Sequence, residues 1–88
     1  MFKPLGQGAP ANAFEYRGVP VRFNYRVEVR EEKVLEMDIF GVLPGEVSET
    51  RFHRLIGPWP TRDEALAAAQ DWAKTWLDIV LGEGANKD

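Results

Sequence analysis

The chain has 88 residues, a formal net charge of −3, 44% hydrophobic residues, 11% aromatic residues and no Cys. That length supports one core and no second domain, and the apolar content argues against a chain without a fold. Without Cys there are no disulfides or thiolate metal centres, which favours a cytoplasmic setting. The acidic total weighs against a general nucleic-acid-coating role, which needs an excess of Lys and Arg.

Residues 1–13 carry Pro4, Gly6, Gly8 and Pro10 with little periodicity, so they are expected to form a flexible N-terminal arm. The start has no apolar run of signal-peptide length. No stretch reaches the ~18 apolar residues of a membrane span, so a soluble protein is expected.

The clearest strand runs from Val19 to Arg30. Val19, Val21, Phe23, Tyr25, Val27 and Val29 share one parity; Arg22, Asn24, Arg26, Glu28 and Arg30 share the other. Such alternation marks a sheet with one buried and one wet face. After the polar turn Glu31-Glu32-Lys33, Leu35, Met37 and Ile39 read inward and Glu36 and Asp38 outward, completing a hairpin. Leu43-Pro44-Gly45 closes this strand.

A third strand is predicted over about Thr50 to Ile56. Its facing stays open: Phe52 and Ile56 share a parity with Arg54, so either Arg54 lies at the sheet margin or a bulge shifts the phase. Gly57-Pro58-Trp59-Pro60 is expected to end the sheet. Thr61 and Glu64 then form a capping box that opens a helix, with Asp63 and Glu64 at its positive end. Ala65, Ala69, Trp72, Ala73, Trp76 and Val80 recur on one helical face, with Leu66, Leu77 and Ile79 beside them. Gly82 stops the helix, and residues 82–88 read as a flexible tail.

The predicted fold class is therefore α+β: a three-stranded antiparallel sheet with one C-terminal helix on one face (β-β-β-α), occupying residues 14–81 as a single domain. The strand arginines would face water on the other side.

The inventory for catalysis is thin. His53 has no second His or Cys to share a metal or a proton relay, and Ser48 lies outside any nucleophile-elbow pattern. Glu28, Glu36 and Asp38 could gather round a divalent cation, but neighbouring arginines would compete for the same oxygens. Gly41, Gly45 and Gly57 make no phosphate cradle. No catalytic residue, metal or cofactor is expected.

The basic residues of the sheet region are Arg17, Arg22, Arg26, Arg30, Lys33, Arg51 and Arg54, nearly all Arg, whose planar fork suits carboxylates, phosphates and bases. The candidate binding face comprises Arg22, Arg26, Arg30, Arg51 and His53. Its partner would be a protein or, alternatively, a nucleic acid. The plainer reading is a solvated face neutralised by Glu28, Glu36 and Asp38 through cross-strand ion pairs. Trp59 either plugs the sheet–helix corner or stands exposed as an anchor. The chain is expected to be a monomer, or a homodimer paired through an open sheet edge.

Through Tyr16-Arg17-Gly18, through Gly57-Pro58-Trp59-Pro60-Thr61-Arg62-Asp63-Glu64-Ala65 and through Trp76-Leu77-Asp78, the chain resembles a set of short, uncharacterised proteobacterial proteins, some carried on prophages. That resemblance implies the β-β-β-α fold, no known activity and an association with mobile elements. The same element order is similar to the arm-type DNA-binding domain of phage integrases and to the plant APETALA2-type domain. This likeness implies DNA contact by Arg22, Arg26, Arg30 and Arg51, although those domains are basic and this face also holds Glu28, Glu36 and Asp38. Leu43-Pro44-Gly45 with Thr61-Arg62-Asp63-Glu64-Ala65-Leu66 resembles HicB-type antitoxins, with Val42 standing where that family has Asp.

Overall fold

The computed structural model describes residues 2–5 and 12–82. In chain order the elements are β1 (Lys3–Pro4), β2 (Ala13–Tyr16), β3 (Val19–Glu28), β4 (Lys33–Gly41), β5 (Thr50–Trp59) and α1 (Arg62–Leu81). The strands form one antiparallel sheet in the order β1-β2-β3-β4-β5, each paired with its sequence neighbour. The fold is α+β with a C-terminal helix, but among the described residues the sheet has five strands rather than three. None of the described helices is long and apolar enough to cross a membrane.

Of the two additional strands, β1 lies in the segment expected to be an arm, and β2 starts at the last residue of that segment, Ala13, and runs into the expected domain. Lys3 pairs with Glu15 and Pro4 with Phe14, while Tyr16 pairs with Val19. Their neighbours hold them there: the Phe2 ring stacks on Tyr16 at 4.8 Å and meets Phe14 and Phe23 edge-on. β1 has two residues, one of them Pro, and β2 has four, too few to establish a period. The rest of the expected arm, Met1 and residues 6–11, and residues 83–88 of the expected tail lie outside the described residues.

Arg17 and Gly18 join β2 to β3 with φ of 53° and 84°. Positive φ at both central positions defines the mirror-image turn that suits the twist of a hairpin, and Gly18 meets that demand without strain. The β3–β4 turn is tied by the Glu32 amide donating to the Glu28 carbonyl and the Glu31 amide donating to the Glu28 carboxylate, at 2.8 and 2.7 Å.

β3 keeps the predicted alternation as far as Val27. Val29 was expected inward, but the strand stops at Glu28, and Val29 is 84% exposed in the turn. On β4 a bulge shifts the phase. Arg26 pairs with Glu36 and Val27 with Val34, which leaves Leu35 as the extra residue. Val34 is therefore buried with Met37 and Ile39, and Leu35, expected inward, is only half-buried.

A second bulge resolves the open question of β5. Ile39 pairs with His53 and Phe40 with Arg51, so Phe52 is the extra residue. Phe52 and His53 consequently both face the helix, and Arg54 faces away. The strand also runs through Gly57-Pro58-Trp59, instead of ending before them, because Trp59 pairs with Val34.

Helix α1 begins as expected. Of the two reciprocal cap bonds, the one formed runs from the Glu64 amide to the Thr61 hydroxyl at 3.1 Å. Gly82 ends the helix with φ of 85° and an amide bond to the Ile79 carbonyl. Ala65, Ala69, Ala73 and Leu77 are fully buried against Val34, Met37, Ile39, Val21 and Phe23. The inward line thus passes through Leu77 rather than Val80. Trp72 and Trp76 flank it as half-buried walls, and Trp59 is half-buried against the same cluster.

Gly41 tests this packing. A Cβ built there would lie 2.6 Å from the Phe52 ring and 2.8 Å from the Pro20 carbonyl oxygen, and the carbonyl cannot move cheaply. Gly41→Ala should therefore destabilise the domain by about 1–3 kcal/mol, as overpacked sites do. Phe23→Ala, which empties a fully buried site, should cost about 3–5 kcal/mol. Urea unfolding followed by tryptophan fluorescence measures both; a neutral Gly41→Ala would refute the close approach of Phe52.

Candidate functional site

With α1 over one face of the sheet, the other face is left to the alternate residues of β3, β4 and β5. β4 runs down its middle and presents Glu36, Asp38 and Phe40. Arg22 and Arg26 stand on β3 to one side; Arg51, Arg54 and Ile56 stand on β5 to the other.

The arginines close onto the carboxylates between them. Arg54 Nε donates to Asp38 Oδ1 at 2.7 Å and lies 3.7 Å from Glu36. Arg51 lies 3.8 Å from Asp38, and Arg26 lies 3.6 Å from Glu36. Arg22 turns instead to Glu49, in the connection before β5, and donates through Nε and an Nη at 3.1 and 2.9 Å. That bidentate pair holds the Glu49 carboxyl below its usual range. The Arg22 guanidinium also lies 4.4 Å over the Phe40 ring.

Two of the expected face residues lie elsewhere. His53 is on the helix side, because the Phe52 bulge reverses its facing; its ring stacks on Trp72 at 4.4 Å and 9°. Arg30 sits in the exposed β3–β4 turn beyond the end of the strand. Arg22, Arg26 and Arg51 share the face, joined by Arg54. Glu28, expected to balance the arginines, is engaged in the turn. Its place is taken by Glu49, which sequence reasoning missed because a loop residue has no periodicity to reveal its facing.

The face is ringed with charge but offers no acid–base pair built from His53 and the β4 carboxylates, which lie on opposite sides of the sheet. Among the described residues no group of three or more His, Asp or Glu is placed to hold a metal ion. A cleft of about 640 Å³ opens between the β3–β4 turn and the start of α1, lined by Val27, Val29, Glu32 and residues 60–63. Its charged groups, Glu32, Arg62 and Asp63, do not extend the arginine rows.

A second polar cluster fastens the helix to the β2–β3 turn. The Tyr16 hydroxyl donates to Asp78 Oδ1 at 2.8 Å, Arg17 donates to the same oxygen at 2.9 Å, and Lys74 reaches Oδ2 at 3.1 Å. Tyr16-Arg17-Gly18 and Trp76-Leu77-Asp78 therefore meet in space, so their residues serve the fold. The Tyr16 hydrogen bond, followed by that from Arg17, pulls the Asp78 carboxyl down to about 2. Burial, reinforced by the bond to Asp78, raises the Tyr16 phenol.

Because the folded-state value of Asp78 is depressed, its contribution to stability is complete above the ordinary value of 3.8 and is lost as pH falls towards about 2. Melting temperatures recorded across that window should drop more steeply for the natural chain than for Asp78→Asn. In Tyr16→Phe, the Asp78 carboxyl followed by NMR titration should move up towards its ordinary value; an unchanged titration would mean the phenol is not its main partner.

Compared with protein-family models, curated proteins and solved structures, the chain matches none of them.

Proposed function

We propose that the chain is a small, non-catalytic protein-interaction module that binds its partner through the arginine-bearing face of the sheet. The observation that carries this reading is the acidic row of β4 lying between two arginine rows. Side chains of Arg26, Arg51 and Arg54 remain 70%, 50% and 42% exposed while engaged with Glu36 and Asp38. Each guanidinium has five donors and uses only part of them here, so it can take a second carboxylate without abandoning the first.

The same row weighs against a nucleic acid as the partner. A phosphate backbone laid along the face would meet Glu36 and Asp38 at its centre, and the cost of that repulsion offsets the counterions released by the arginines. A protein surface of mixed sign can match the pattern residue by residue. The placement of His53 against Trp72, across the sheet from the β4 carboxylates, supports the non-catalytic part of the reading.

Immobilised natural chain should recover a partner protein that Arg26→Ala/Arg51→Ala fails to recover. Arg30→Ala, in the turn, should recover it unchanged. Equal recovery by the double variant would remove the arginine face from the function. Retardation of DNA or RNA that falls steeply with salt would transfer the face to the nucleic-acid reading.

A further inference from the structure

Among the described residues the sheet ends at β5, which pairs with β4 and has no strand on its other side. The opposite margin is different: β1 has two residues and contains Pro4, which blunts it. β5 has ten residues, and its irregularities lie towards its ends. The Phe52 bulge interrupts pairing at the start, and Pro58 removes a donor near the finish. Between them lie residues 53–57, regular in their pairing with β4 from His53 to Ile56, whose outer backbone groups no strand among the described residues pairs.

What surrounds that stretch defines what would fit it. From Thr50 to Arg62 the chain has no carboxylate; Arg51, His53 and Arg54 stand on this strand, whereas the Arg62 guanidinium lies 5.8 Å over the Tyr25 ring on β3. On the outer face, Arg51 and Arg54 reach back to Asp38 on β4 while staying 50% and 42% exposed, with Ile56, 68% exposed, on the same face. On the helix face, the rings of Phe52, Trp76, Trp72 and His53 follow one another at 4.6, 5.6 and 4.4 Å. One side of the edge is cationic and the other is aromatic.

We propose that the β5 edge is a docking site for an extended segment of a partner protein in which carboxylates alternate with apolar residues. Main-chain bonds to residues 53–57 extend the sheet, the carboxylates lie beside Arg51 and Arg54, and the apolar residues lie under Trp72 and Trp76. The chain itself shows the complementary pattern on the inner side of the same strand. There β4 sets Glu36 and Asp38 against Ile56 and Arg54, and Met37 and Ile39 against Leu55 and His53. A second copy of the chain does not fit this role: paired edge to edge in any register, another β5 brings arginines and no carboxylate to the seam. This inference rests on the reading of the chain as a protein-binding module and names its edge and the character of its partner.

The probe is a fluorescein-labelled peptide of sequence Thr-Ile-Glu-Val-Glu-Ile-Thr, with a control in which both Glu are Lys. The acidic peptide should bind the full chain, and Arg51→Glu should weaken it by roughly tenfold or more. Amide hydrogen exchange at residues 53–57 should slow by roughly tenfold on binding while β4 stays protected as before. This second measurement needs no variant, so a folding defect in Arg51→Glu cannot hide the answer. No binding at millimolar peptide, equal binding of the Lys control, protection away from β5, displacement by a single-stranded oligonucleotide, or a concentration-dependent dimer protected at β5 would each overturn the proposal. Failure here with the Arg26/Arg51 recovery result intact would refute the edge alone; failure of both would refute the module.

Discussion

The arrangement depends on how closely α1 lies against the sheet. Ala65, Ala69 and Ala73 present methyl groups at the contact, so the helix backbone settles onto Val34, Met37 and Ile39 with no large side chain between them. Close packing of this kind gives a small domain most of its stabilisation. It also consumes one whole face of the sheet, so the alternate residues of β3, β4 and β5 must stand in water. The bulky indoles cannot enter the narrow gap and are pushed to its β5 side, where they stack with Phe52 and His53. The charged face and the aromatic wall thus both follow from a stripe of small residues.

The bulges decide which side chains the two surfaces receive. At Leu35 an extra residue lets Val34 and Met37 both be buried although their separation is odd. At Phe52 the extra residue puts Phe52 and His53 on the helix side in succession and sends Arg51 and Arg54 outward together. Without the second bulge, one of the two arginines would point at the helix and lose Asp38. The ion pairs of the outer face are exposed and contribute little to stability, which leaves their arginines free to exchange partners without endangering the fold. The Tyr16–Asp78 contact is different in kind: it clamps the β2–β3 turn to the last turns of the helix, far along the chain.

Much of this was legible in the residues. The uninterrupted alternation of Val19 to Val27 gave the facing of β3, and with it the outward placement of Arg22 and Arg26. Thr61, Glu64 and Gly82 marked the two ends of the helix because capping is local chemistry. β1 and β2 were not legible, since two and four residues with Pro and Gly around them carry no period; their pairing is secured by Phe2 and Phe14 rings whose partners are distant in sequence. The place of His53 was hidden for another reason, because a single inserted residue inverts every facing that follows it.

The amino-acid sequence by itself determined the class of the fold, the helix and its limits, and the long two-faced strand, since each rests on spacing and on contacts within a few residues. Only the tertiary structure decided that the described residues form a sheet of five strands with β5 at its edge, that Glu49 rather than Glu28 answers Arg22, and that His53 belongs to the aromatic wall. Those outcomes depend on register and on meetings between distant segments, where the cost of a bulge is weighed against burial of the whole sheet, and no local pattern records that balance.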